Sequence, residues 1–142
     1  MSTEIIGCAD VSVSQPLPYF ESPRASAGFS NPAENLLEKP LSLDSLLITR
    51  PSSTFLIRLS GTSMEPSIPD GCILVVDKAA EVRSGRIIVA SLDGEFLVKE
   101  LVLSSSSRPF LRSHNPSFPD IVIQEDVDSV VWGVVVGFAK RL

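Results

Sequence analysis

The sequence predicts an all-β fold behind an extended arm, and three observations predict it. From Thr54 onward, short runs of β-branched and aliphatic residues alternate with turn residues. Asp93-Gly94 lies between two such runs, Arg86 to Leu92 and Glu95 to Leu103, a strong two-residue hairpin signal. The longest nearly unbroken apolar run, Val130 to Ala139, is interrupted by Gly133 and Gly137 and has the length of a buried strand. A membrane helix needs roughly 18 apolar residues or more. With 142 residues, 44% of them apolar, the chain has material for one folded unit and its core.

Taken in order, residues 1–40 carry Pro16, Pro18, Pro23, Pro32 and Pro40 among Ser, Ala and Gly, with neither a helical nor an alternating apolar period. This segment is expected to be a flexible N-terminal arm, and residues 41–142 the folded domain. Ser42 followed by Leu43, Leu46 and Leu47 reads as a capped turn or two of helix, stopped by Pro51. Strands are expected near 54–59, 72–77, 86–92, 95–103, 108–112 and 129–139. The Ser104 to Ser107 run between two of them is a solvated turn.

Twelve basic residues against 17 acidic give a net charge of −5, with no basic cluster, which argues against direct, sequence-specific DNA binding through charge. The first fifteen residues lack Lys and Arg and any long apolar stretch, so a secretory signal is not expected, and the Ile5-Ile6-Gly7-Cys8 likeness to a lipoprotein box has no supporting context. Cys8 and Cys72 form neither a disulfide framework nor a metal spacing. A cytoplasmic, reduced location follows as the expectation. His114 is the only histidine, so a multi-histidine zinc site is ruled out, and no cofactor is expected.

Two positions break the local pattern in a chemically useful way. Lys99 lies within Phe96-Leu97-Val98-Lys99-Glu100-Leu101, and alternation puts it on one face with Leu97, Leu101 and Leu103. It reads either as an edge-strand lysine snorkelling to water or as a desolvated amine that tends toward neutral and accepts a proton. Ser63 lies in Ser60-Gly61-Thr62-Ser63-Met64-Glu65-Pro66, directly after a strand. It reads either as part of a hydroxyl-rich turn or as a nucleophile beside exposed backbone N–H groups. His114, in Arg112-Ser113-His114-Asn115-Pro116, is the rival base to Lys99 and equally reads as an ordinary turn histidine.

Set in order, Leu59-Ser60-Gly61-Thr62-Ser63-Met64, Pro69-Asp70-Gly71, Leu74-Val75-Val76-Asp77 and Gly94-Glu95-Phe96-Leu97-Val98-Lys99 resemble the Ser/Lys self-cleaving peptidases of the LexA and UmuD family. Ala27-Gly28-Phe29-Ser30-Asn31-Pro32-Ala33 resembles that family's scissile segment, and Asn115-Pro116 and Trp132-Gly133-Val134-Val135 also fit. Only 27 residues precede the scissile bond, too few for a helix-turn-helix domain, so the resemblance is to the UmuD branch and its MucA and RumA kind rather than to repressors. Signal peptidases share the pattern of Ser63-Met64-Glu65-Pro66 but need a membrane anchor, and no membrane association is expected. Cys72 departs from the family's Asp after the Gly, and the Met64 to Gly71 loop is one residue short.

The resemblance implies a small, strongly bent, barrel-like β-sheet domain with catalytic Ser63 and Lys99, backbone N–H groups of Thr62 and Ser63 as the oxyanion site, and cleavage between Ala27 and Gly28. It further implies a homodimeric regulatory subunit of an SOS-induced error-prone translesion polymerase, triggered by a RecA filament on single-stranded DNA and bound to a Y-family, UmuC-like catalytic subunit. The competing expectation is a non-catalytic β-domain that docks on polymerase or RecA through its arm.

Overall fold

In the computed structural model, which describes residues 3–8, 17–20 and 37–142, Asp93 and Gly94 both take positive φ, 51° and 79°. That is the backbone a two-residue turn between right-twisted strands requires. The strands are β1 (Thr3–Cys8), β2 (Leu17–Phe20), β3 (Leu37–Leu41), β4 (Thr54–Leu59), β5 (Ile73–Asp77), β6 (Ile87–Leu92), β7 (Glu95–Ser104), β8 (Ser107–Arg112), β9 (Ile121–Val122) and β10 (Val131–Ala139). Eight of them form one antiparallel sheet in the order β1-β4-β5-β10-β6-β7-β8-β9, and β2 pairs with β3. Seven of the eight belong to the body and one, β1, to the arm. The sheet is not closed: β1 and β9 are its edges.

The all-β expectation holds, and the expected strands fall within a residue or two of the observed ones. The Val-rich run becomes β10, which returns from the chain's end to lie between β5 and β6. Its first half pairs with β6 and is buried or half-buried, while its second half pairs with β5 and leaves Val136 and Phe138 exposed, so the apolar run is longer than the buried part of the strand. Ser42 caps the short helix α1 (Leu43–Leu47), its side chain accepting from Ser45 N–H at 3.4 Å, and Pro51 opens a 3-10 turn over Pro51–Ser53. Neither β9 nor the single turn α2 (Val127–Val130) was expected. Both are too short to show a period. The arm's sequence shows no alternation either, yet β1 pairs with β4, because ladder bonds to an open strand edge are made by backbone groups whatever the side chains.

Apolar residues bury on both sides of the sheet. One core gathers Ile57, Leu59, Met64, Ile68, Leu74, Val76, Val89 and Val98, with Trp132 and Phe96 against it. The other holds Ile88, Ala90, Leu101, Leu111, Ile123, Val130 and Val134. Val89 serves the first while its neighbours Ile88 and Ala90 serve the second, as alternation along a strand demands. Among the described residues no helix is long and apolar enough to cross a membrane.

Asp77 ties the entry of the body to this sheet. Its buried carboxylate accepts from Ser53 Oγ at 2.7 Å and Ala79 N–H at 2.8 Å and pairs with the Arg50 guanidinium. Burial alone pushes its pKa up, but the hydrogen bonds from Ser53, Ala79 and Arg50 outweigh burial and hold it below the usual carboxylate range. A depressed folded-state pKa contributes stability above the unfolded value, near ~3.9, which is lost as pH falls through the folded value. Asp77→Asn should therefore lower stability at neutral pH and flatten its decline in acid, as read from urea unfolding between neutral pH and the acid limb.

The two glycines of β10 sit where its register slips, between Val131 and Gly133 against β6 and between Val135 and Gly137 against β5. A Cβ on Gly133 would lie 2.6 Å from Val76 Cγ1, in a packed core where a β-branched neighbour has nowhere to go. On Gly137 it would meet the flexible tip of Leu47 at 2.8 Å. Gly133→Ala should cost about 1–3 kcal/mol in a urea melt, and Gly137→Ala clearly less.

Candidate active site

Where β4 ends, Gly61 takes φ +119°, a conformation open to a residue without Cβ, and the chain turns into the loop that carries Ser63. The loop closes on itself. Gly61 N–H donates to Asp70 Oδ1 at 2.8 Å, Asp70 N–H to Glu65 Oε1 at 3.2 Å, and Glu65 N–H to Thr62 O at 3.1 Å. Met64 and Ile68 anchor it in the first core, both fully or almost fully buried, and Gly71 N–H returns to Leu59 O at 3.0 Å. Ser63 itself is 1% exposed, and Thr62 is exposed.

Lys99 lies on β7 between β6 and β8, so it is an interior-strand residue, and it is 3% exposed. Of the two readings the sequence left open, the structure shows the buried one. Ile88 stands opposite on β6, and on the other side the β7–β8 register, with Glu100 opposite Arg112, carries Ser113 opposite Lys99. Lys99 Nζ donates to Ser113 Oγ at 2.7 Å and lies 5.4 Å from the Phe118 ring centre. Burial pushes the amine below the usual lysine range.

Alternation sends Glu100 the other way, and His114 follows it. The His114 ring bridges Glu100 Oε1, at 2.7 Å from Nε2, and Ser67 Oγ, at 2.6 Å from Nδ1. The rival base thus has both nitrogens engaged in bracing, and neither partner is Ser63. Asn115 completes a strap over the Ser63 loop: its N–H donates to Ser63 O at 2.9 Å and its Nδ2 to Thr62 O at 3.1 Å. In a trans peptide the carbonyl and N–H point opposite ways, so turning Thr62 O toward Asn115 turns Ser63 N–H to the far side.

Lys99, through Ser113, and the Thr62-Ser63 stretch, through Asn115, are therefore bonded to the same three-residue segment, 113–115. Ala27 and Gly28 lie outside the described residues. Sequence reasoning passed over Ser113, a serine in a turn-like stretch with nothing local to distinguish it. Cys72, the departure from the family pattern, is a buried thiol whose pKa burial pushes up.

The model of the S24-like peptidase family matches residues 18–136. The chain is similar to the protein MucA of Salmonella typhimurium, 39% identical over 137 residues that cover 95% of this chain and 92% of MucA. It is similar to the protein ImpA of Shigella flexneri, 44% identical over 121 residues covering 83% and 80%. LexA repressor 1 of Xanthomonas campestris is 33% identical over 120 residues, covering 83% of this chain and 58% of the repressor.

A buried lysine also loads the fold. With its folded-state pKa depressed, Lys99 binds fewer protons folded than unfolded, so stability rises with pH between the folded value and the free-lysine value near ~10.4. Lys99→Met, of similar shape without the charge, should be at least as stable as the parent at pH 7. The difference should shrink as pH approaches that of free lysine, measured by paired urea melts.

Proposed function

The chain belongs to the S24-like peptidase family, and on that premise we propose that it is a self-cleaving serine peptidase, the regulatory subunit of an SOS-induced error-prone polymerase. The observation that carries the peptidase reading is Lys99, 3% exposed on an interior strand and bonded to a neutral hydroxyl, in the segment that straps the Ser63 loop. Among the described residues no carboxylate pairs with its amine. A desolvated amine with a neutral partner releases its proton far more readily than a lysine in water.

In this reading neutral Lys99 takes the proton of Ser63 Oγ as that oxygen attacks the Ala27 carbonyl carbon. The tetrahedral oxyanion forms against the backbone N–H groups of Thr62 and Ser63. Its collapse breaks the Ala27–Gly28 bond, and the Lys99 ammonium returns the proton to the departing Gly28 amine. Water, deprotonated by the same amine, then releases residues 1–27 from Ser63. Ala27 and Gly28 suit the step because a small side chain followed by none lets the backbone lie flat in a narrow site.

The resemblance to the UmuD branch extends the proposal. A RecA filament on single-stranded DNA shifts the arm into the site and supplies no catalytic group, as expected of a partner that favours one of two arm positions. The processed body, residues 28–142, acts as a homodimer in the cytoplasm and binds a Y-family catalytic subunit.

Purified full-length chain, incubated alone over a pH series, should cleave at a rate that climbs through one ionisation and then levels off, with its midpoint below the free-lysine value. Mass spectrometry should find a new N-terminus at Gly28. Ser63→Ala and Lys99→Ala should each abolish cleavage while circular dichroism stays that of a folded protein. An uncut wild-type chain at every pH would point to the interaction module instead, and loss of cleavage in His114→Ala but not in Lys99→Ala would reassign the base.

A further inference from the structure

Lys99 needs more than burial to work as a base. A neutral primary amine has two N–H bonds and one lone pair, and at the end of a four-carbon stem the lone pair points anywhere unless something holds the N–H groups. Ser113 offers that hold. It is 6% exposed, its Oγ sits 2.7 Å from Lys99 Nζ, and a serine hydroxyl turns about a single side-chain torsion. Its place is set by the sheet, because continuing the β7–β8 pairing puts residue 113 opposite residue 99, and by the strap, because Asn115 two residues on bonds to both Ser63 and Thr62 carbonyls.

We propose that Ser113 is a positioning residue for the cleavage reaction: its oxygen accepts an N–H of the Lys99 amine and so turns the amine's lone pair toward the Ser63 loop. The proposal rests on the Ser63–Lys99 reading above. No bond to Ser113 is made or broken. Ser113 holds one N–H throughout, while the proton from Ser63 arrives at the lone pair on the other side.

Among the described residues, the charged groups on the neighbouring elements are engaged elsewhere. Ile88 of β6 and the Phe118 ring carry no charge. Glu100 on β7 is turned to His114, Arg112 on β8 is exposed with its guanidinium over Phe110, and in the nucleophile loop Glu65 and Asp70 accept from Asp70 and Gly61 N–H groups. The hydroxyl therefore also helps the charged form, partly offsetting the effect of burial. Its removal should do two things at once: lower the plateau of the pH–rate curve, through a misdirected lone pair, and move the midpoint further down.

Thr and Val at 113 share a shape and differ in the hydroxyl, so Ser113→Thr and Ser113→Val form the test. In full-length chain, Ser113→Val should lose about tenfold to a hundredfold of the plateau rate with a midpoint roughly one pH unit lower, and Ser113→Thr should recover both. The Lys99 Cε carbon resonance, titrated in a Ser63→Ala background that cannot cleave, reads the same midpoint without any activity. A Val variant with the wild-type plateau and midpoint overturns the proposal and leaves the dyad standing. A lower plateau at an unmoved midpoint in both measurements also overturns it, since a displaced strap would do that. Cleavage that survives Ser63→Ala and vanishes in Ser113→Val overturns it by making Ser113 the nucleophile. A wild-type chain that stays uncut, or a Lys99→Ala variant that still cleaves, removes the dyad and the proposal together.

Discussion

An amine held between two paired strands, 3% exposed, is the constraint around which the rest of this molecule is arranged. A buried ammonium without a counter-charge is costly, and a chain that keeps one has to provide either a route to neutrality or a polar partner. This one provides both. Its strand is flanked by β6 and β8, and Ser113 supplies an uncharged acceptor at 2.7 Å. The result is an amine that burial holds below the usual lysine range.

The same stretch of backbone that carries the acceptor also bonds to the Ser63 loop. Residues 113–115 leave β8 and pass over the loop that begins at Gly61. Ser113 faces Lys99, His114 bridges Glu100 and Ser67, and Asn115 bonds to the Thr62 and Ser63 carbonyls, so three successive side chains make three different connections. Because Lys99 and Glu100 point to opposite sides of β7, their partners Ser113 and His114 do so as well. The single histidine is thereby spent as a brace. A histidine beside a serine-bearing loop is easily read as a base, and here both ring nitrogens are bonded elsewhere, to Ser67 and Glu100.

The sheet makes this placement rigid. β10 lies at its centre, and its two glycines mark the places where the pairing slips and Val76 and Leu47 come close. Asp77 at the end of β5 gathers Ser53, Ala79 and Arg50, so the segment leading into β4 is tied to the strand beside it. These features lie away from Ser63 and Lys99, yet they hold the strands on which both depend.

The sequence by itself determined the strands of the body, the Asp93-Gly94 hairpin, the capped turn after Ser42, and the identity of Ser63 and Lys99 as the residues out of place in their surroundings. Those features are local: alternation, turn chemistry, and one amine among aliphatic side chains are visible within a few residues. What faces that amine was left to the tertiary structure. Counted from the Ser104–Ser107 turn without interruption, the β7–β8 pairing would set Arg112 opposite Lys99, two cations side by side. The register shifts by one between Val102 and Ser104, and the residue opposite becomes Ser113. A β-bulge has no reliable signature in composition, and a slip of one residue moves every side chain beyond it to the other face. The same holds for β10, whose neighbours β5 and β6 are remote in sequence, and for the strap on Ser63, where residues about fifty positions apart meet only once the sheet is assembled.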